Sequence, residues 1–445
     1  MKNRQHPLIT QIVRFGLPLV VAVYYATAAR GFAYTADPGY ASADWATLLL
    51  GQRYGVPGTQ MFSLFWTVLL AMGGILGLDL LLVAKIMSLV FACFGILGLY
   101  LLGVEILDDR VLAFSVALIA ALDPLLLQAG PSGTPATGLL ALSIASLFFS
   151  QRGDFALAAV FAGLSTILAW PAAMLMFSLG IDAAALPGDR PRTKTLLAAL
   201  LVFLAVVGPW VLFAGLKGLP MISGSSVPGS ALAVGWWTPI PAAICLVPAI
   251  AGMLAVRRFR LLRLIVGDPP WGLLLWIVWT FIAGVFLARD FWLAGIPLLL
   301  LGAMQGLRAL VPALREESAN YSVAFGAVAL LLVVNQVIFL SAGKPGMAGT
   351  LETEKDIVPI VQWVSARLSS AITIESEAPG LVEYHLRSGQ RVVPRRTPDS
   401  AEYVISAEQS IPRYREIFRP SQPGGDILGQ AGGRFALFQR FESER

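Results

Sequence analysis

Apolar runs broken by short polar turns organise residues 1–342. The last stretch, 343–445, alternates short strand-like and helix-like patterns with frequent charges. A bilayer-spanning helix needs roughly 20 apolar residues. The candidate spans are 12–30, 81–103, 111–128, 136–150, 155–168, 172–186, 195–213, 238–256, 271–288, 291–308 and 321–341. The pair 155–168 and 172–186 also reads as one kinked element broken at Trp170-Pro171. A further apolar run, 60–78 (QMFSLFWTVLLAMGGILGL), would invert every later helix if it crossed the membrane.

Basic residues gather on the cytoplasmic side of membrane proteins, and this sets the orientation. With 60–78 held on the outer side as a juxtamembrane or re-entrant segment, the inner side collects Lys2, Arg4, Arg14, Arg110, Arg152, Arg190, Arg192, Lys194, Arg308, Arg315 and the cluster RRFRLLR at 257–263. The outer loops then hold only Arg30, Arg53, Lys85, Lys217 and Arg289. The expected architecture is therefore an all-α polytopic membrane protein of about eleven transmembrane helices, with its N-terminus cytoplasmic. A small extracytoplasmic α/β domain follows at 343–445. The basic, apolar N-terminus reads as a retained first span rather than a cleaved signal.

On that topology four segments meet at the outer face: 31–80, 129–135 (AGPSGTP), 214–237 and the turn Ala288-Arg289-Asp290-Phe291. The first is the richest. GFAYTADPGYASADWATLLLGQRYGVPG, Gly31 to Gly58, gathers acids, aromatics and Gly/Pro breakers. Asp37 comes just past the membrane edge and Asp44 seven residues later. WATLLLGQRYG then reads as a short amphipathic interfacial helix with Trp45, Leu48 and Leu49 on one face. The 214–237 loop ends in Gly235-Trp236-Trp237, which suits an interfacial anchor, a lid or a lipid contact.

In the C-terminal stretch, IVPIVQWVSARL has helical apolar spacing and EAPGLVEYHLRS reads as a short helix. SSAITIES, GQRVVPRR, AEYVISAE and GRFALFQRF read as strands. No glycine motif that cradles phosphate opens a helix here, so a structural or docking role is expected. Composition agrees with the membrane reading. The chain has 445 residues, 57% of them hydrophobic and 13% charged, against about 25% charged in a soluble protein. Its mean hydropathy is +0.73. Cys93 and Cys245 both lie in apolar runs and His6 and His385 fall at opposite ends, so neither a disulfide framework nor a metal cluster of these types is expected. The net charge of +5 follows from basic loops, so no nucleic-acid partner is inferred.

An acid just after the first span, a juxtamembrane segment and a loop-poor multi-span body resemble the GT-C superfamily of membrane glycosyltransferases. Four stretches carry the resemblance. Gly31 to Gly55 looks like the family's acidic first outer loop, ending in G-x-x-x-G at Gly51 and Gly55. GLYLLGVEILDDRVLAFSVALIAALDPLLLQAG looks like its third-helix region. LARDFWLAGIPLLLLGA is similar to a late R-[YF]-x-x-x-x-x-P motif, here Arg289, Phe291 and Pro297. The C-terminal stretch looks like the outer α/β domain of many bacterial members. The resemblance implies a bacterial inner-membrane enzyme that moves a sugar from a polyprenyl-phosphate donor to an acceptor on the outer face. Its partners would be membrane lipids, the lipid-linked sugar and subunits of a membrane complex. Two departures stand out. Asp37 is followed by Pro38 rather than by a second acid, and the second outer loop reads Ser132-Gly133-Thr134-Pro135, with no carboxylate. A divalent metal held by acids from both loops is therefore not expected, and no other cofactor is implied.

Glycosyl transfer to a hydroxyl needs a base near the acceptor and cationic groups on the departing phosphate. Asp37 is the candidate base, although an Asp opening a turn before proline has the same appearance. Arg289 suits the phosphate, since its guanidinium grips two oxygens at once; an interfacial arginine paired with Asp290 has the same sequence. Asp44 reads as a helix N-terminal or solvated acid. It joins Tyr40, Arg289, Trp236 and Trp237 as a candidate substrate-binding residue. Asp123 falls within a span, where an acid must face protein or water, and Lys85 reads as a snorkelling residue. The alternative to an enzyme is a catalytically degenerate chain of the same fold serving as a structural or assembly subunit.

Overall fold

The computed structural model describes residues 16–17, 19–23, 37–52, 63–123, 126, 129–185, 192–217, 271–286, 291–310, 347–368, 372–376, 378–386, 391–394, 401–406, 411, 414–420 and 436–440. Within these, residues 16–17 and 19–23 are helical, and the helices with described bounds before the C-terminal sheet region are α1 Asp37–Leu49, α2 Leu64–Ile75, α3 Leu80–Leu107, α4 Arg110–Ala121, α5 Ala136–Gln151, α6 Phe155–Leu168, α7 Met174–Ala185, α8 Arg192–Lys217, α9 Trp271–Phe286 and α10 Phe291–Leu310.

The helix boundaries follow from capping chemistry. Asp79 opens α3 by accepting the Leu82 amide at 2.9 Å, and Ser63 opens α2 by accepting that of Trp66 at 3.3 Å. Asp108 ends α3 in the left-handed region, φ 48°, a conformation that Asp tolerates better than most side chains. Asp109 then opens α4, accepting the Val111 and Leu112 amides at 2.9 and 3.1 Å. Two adjacent aspartates thus turn the chain through a tight helical corner.

Small residues set the packing of the bundle. A Cβ added at Gly95 would stand 3.0 Å from Leu140, one at Gly98 3.0 Å from Ile144, and one at Gly103 3.0 Å from Ala113. Ser88 meets Thr137 at 3.1 Å and Glu105 meets Arg152 at 3.4 Å. Positions on α3 and α5 therefore advance together, so these two helices run parallel, joined by antiparallel α4. Close approach through small residues is how helices associate where no water drives them together. Helices α3 and α8 are long and apolar enough to cross a membrane. At 28 residues, α3 is about 42 Å long. The outward face of α8 is apolar, with Leu197, Leu201, Leu204 and Leu212 all more than half exposed, as a lipid-facing surface would be.

Several sequence expectations shift. The run 111–128 gives a shorter helix: α4 stops at Ala121, and Leu122 caps it by bonding back to Leu118 and Ile119. Asp123 therefore lies just beyond this helix, in keeping with the bias of a residue before proline away from helical backbone. The runs 155–168 and 172–186 are separate helices, as the two candidate spans anticipate, and not one kinked element. Ala169 is extended, and a 3-10 turn at Trp170–Ala173 separates them. The short helix expected from Trp45 begins eight residues earlier, with Pro38 in its first turn, where a missing amide costs nothing. Its Trp45 is buried, whereas Leu48 is half-buried and Leu49 exposed, so these residues do not form one uniform face. The run 60–78 contains the 12-residue α2, about 18 Å long and shorter than the roughly 30 Å bilayer core. Candidate spans 238–256 and 321–341 lie outside the described residues.

After helix α11, Met347–Arg367, come β1 Thr373–Ser376, α12 Pro379–Leu386, β2 Arg391–Pro394, β3 Tyr403–Ser406, β4 Tyr414–Phe418 and β5 Ala436–Arg440. The sheet order is β2-β1-β3-β5-β4. β1 pairs in parallel with β2 and β3, whereas β5 pairs antiparallel with β3 and β4. Ile357, Ile360, Val361 and Val364, at helical spacing on α11, pack with Ile374, Val392, Ile405 and Leu437 of the sheet. This makes a second apolar core beside that of the bundle. Strand β4 is an addition to the sequence reading; its pattern, buried at Tyr414 and open at Arg415 and Glu416, marks an edge strand with too little hydrophobic signal to stand out.

Candidate active site

Helix α1 lies where the two cores meet. It packs on α2 and α3 below and on α12 of the C-terminal region above, and residues 39–46 are buried on every side. Tyr40 belongs to the C-terminal core, whereas Ala43 and Ala46 belong to the bundle core. The Tyr40 ring lies 5.5 Å from that of Tyr384 and 5.9 Å from that of His385, which are themselves 5.3 Å apart. Leu81, at the start of α3, and Tyr384 both pack against both cores. Gly51 at φ 69° ends the segment.

Asp44 is mid-helix and 3% exposed, so it is neither the helix-opening nor the solvated acid expected. The helix that carries it packs both on the bundle and on the C-terminal region, contacts that the local sequence does not announce. Burying a carboxylate is costly unless partners hold it, which marks this position as more than surface decoration. Asp37 supplies the first residue of α1, two turns before Asp44; its side chain lies outside the described residues. Arg289, Trp236 and Trp237 also lie outside them. The helix ends flanking Arg289, however, belong to the same end of the bundle as α1. The indole N–H of Trp279 on α9 donates to the carbonyl of Pro171 at 2.9 Å. Leu168, just before that turn, sits against Gly138 at the start of α5.

The 129–135 turn closes this end with hydroxyls. Ser88 Oγ on α3 donates to the carbonyls of Ala129 at 2.9 Å or Thr134 at 3.2 Å and pairs with Thr137 Oγ1 at 3.1 Å. Ser132 Oγ also reaches the Ala129 carbonyl at 2.9 Å. Every residue from 129 to 137 is buried. Gly133, at φ 77°, approaches α3 so closely that a Cβ would stand 3.2 Å from that of Ala84. Among the described residues no group of three or more His, Cys, Asp or Glu could hold a metal ion.

The sequence reading passed over two sets of residues. Tyr384 and His385 were visible only as part of a short helix, with no signal that α12 would dock on α1. Asp182 on α7 accepts from Ser150 Oγ at 2.7 Å, Gln151 Nε2 at 3.2 Å and the Gly272 amide at 2.8 Å. This cluster ties three helices at the opposite end of the bundle, where Arg152 and Glu105 also meet. It is therefore structural and remote from α1.

No protein family and no curated protein matches the sequence. Solved structures do match its fold. The crystal structure of ArnT from Cupriavidus metallidurans in the apo state has a TM-score of 0.51 at 13% identity, covering 88% of this chain and 87% of that one. The arabinofuranosyltransferase AftD from Mycobacteria has a TM-score of 0.52 at 14% identity and covers 95% of this chain. This chain spans 41% of the AftD chain.

The chain has the GT-C fold.

The likeness extends across the bundle and into the C-terminal region, since 88% and 95% coverage leave room for neither to be missed entirely. Within this GT-C fold, α1 holds Asp37, Tyr40 and Asp44 at one end of the bundle. The Ser132–Pro135 turn at that same end is packed rather than open.

Proposed function

We propose that the chain is an integral membrane glycosyltransferase that moves a sugar from a polyprenyl-phosphate donor to an acceptor hydroxyl at the outer face of the bacterial inner membrane. The observation that carries this reading is the GT-C fold, matched over 88% of the chain by ArnT and 95% by AftD. The placement of α1 between bundle and C-terminal region supports it.

In this mechanism Asp37 takes the proton of the acceptor hydroxyl as its oxygen bonds to the anomeric carbon of the sugar. The bond from that carbon to the donor phosphate breaks, and the electron pair leaves with the phosphate. Arg289 meets the developing charge with a bidentate guanidinium. The buried, carboxylate-free turn at 129–135 supports a site that does not draw metal ligands from two loops. A second reading, a structural subunit of the same fold, is favoured by the complete burial of residues 39–46, which resembles a packed junction more than an open cleft.

The two readings part on one experiment. The purified protein in native lipid is supplied with polyprenyl-phosphate sugars, and transfer to a soluble acceptor is measured. Asp37→Asn is expected to lower turnover by about a hundredfold or more, the scale of general-base catalysis, with folding intact. Wild-type protein that transfers nothing would favour the structural reading, whereas an Asp37→Asn variant with full turnover would leave the transferase standing and remove Asp37 as its base.

A further inference from the structure

We propose that α12 is the positioning element of the candidate site, with Tyr384 and His385 seated against Tyr40 so that α1 is held on the end of the bundle. Three observations converge. The Tyr40, Tyr384 and His385 rings make a closed triangle with centroid distances of 5.3 to 5.9 Å. Tyr40 is 3% exposed, and its neighbours in space belong to the C-terminal core although it lies more than 300 residues from them in sequence. Tyr384 and Leu81 each pack against both cores, so contact runs without a break from α12 through α1 to α3.

The physical case is one of rigidity. A 13-residue helix is marginal in isolation and takes its stability from tertiary packing. Helix α1 carries three alanines and one serine at its centre, which leaves Tyr40 and Trp45 as its large buried anchors. Tyr40 lies one turn from Asp37, so loosening its ring contact frees the end of the helix that bears the candidate base. A displacement of about 1 Å at a reacting group costs on the order of a hundredfold in rate. Tyr384 and His385 are in this sense positioning residues, acting through Tyr40 rather than on substrate.

The test has two arms, and only its turnover arm rests on the transferase reading. Amide hydrogen exchange of the protein in nanodiscs compares wild type with Tyr384→Ala. Exchange over 40–49 is expected to quicken about tenfold, the scale of a lost aromatic contact. Residues 88–103 of α3 and strands β1 and β3 should keep their protection. Tyr40→Leu should produce the reciprocal pattern, loosening 379–386 while β1 and β3 hold. In turnover, Tyr384→Ala should lower kcat about tenfold and leave donor KM unchanged, with Tyr384→Phe restoring it. Unchanged exchange over 40–49 would overturn the proposal, as would loosening of 40–49 no greater than that of α3 and the sheet. Tyr384→Phe behaving like Tyr384→Ala would overturn positioning by the ring. A wild type without turnover but with the expected exchange pattern would sink the transferase reading and leave the positioning role standing.

Discussion

The two ends of the helical bundle solve the same problem in different ways. At the end remote from α1, carboxylates do structural work. Asp109 caps α4, Asp182 joins α5, α7 and α9 through three donors, and Glu105 pairs with Arg152. At the α1 end, the 129–135 turn is tied by serine and threonine hydroxyls, and the junction with the C-terminal region is tied by aromatic rings. The difference teaches where chemistry can reside. Acids that accept from helix amides or join helices, Asp79 at the α1 end among them, are bound up in the fold, whereas Asp37 and Asp44 lie on an element that two cores share.

That contrast can be broken at its strongest point first. Asp182→Leu leaves the Ser150 hydroxyl, the Gln151 amide and the Gly272 N–H without their acceptor, and is expected to destabilise the fold by about 3 kcal/mol. Thermal unfolding in detergent would measure this, while turnover per folded molecule stays as in wild type; lost turnover at unchanged stability would place chemistry at the wrong end. A smaller effect probes the hydroxyl-tied turn. Gly133→Ala must adopt φ 77° and bring a Cβ to 3.2 Å from that of Ala84, for an expected loss of about 1–2 kcal/mol. A neutral result would mean the turn is not pressed against α3. The smallest effect concerns the ion pair. Glu105 and Arg152 are 40% and 56% exposed, so Glu105→Gln should change stability by no more than about 0.5 kcal/mol. A larger loss would show that the remote end depends on that charge as well as on Asp182.

Much of the architecture was legible because apolar length and helix caps are local signals. The reading of 136–150 and 155–168 lies within a residue of α5 and α6, and 291–308 within two of α10. Most of the strands β1, β2, β3 and β5 announced themselves by short apolar runs. Strand β4 did not, since an edge strand buries little. Residues at the candidate site were legible as types. Tyr40 and Asp44 stood out as an aromatic and an acid in a breaker-rich stretch, and Asp44 was read as solvated because nothing nearby in sequence covers it.

The sequence by itself determined that this chain is an apolar helical bundle followed by a strand-and-helix segment, because burial periodicity and turn chemistry act over a few residues. It also supplied the acids and the carboxylate-free second turn. Only the tertiary structure decided that α12 docks on α1, that Asp44 is enclosed, and that Asp182 gathers three helices at the far end. Those outcomes depend on contacts between residues far apart along the chain, such as Gly272 with Asp182 and Tyr40 with Tyr384. No local pattern encodes such a partner, because the favourable free energy appears only once both surfaces have been brought together and the chain entropy of closing the loop has been offset.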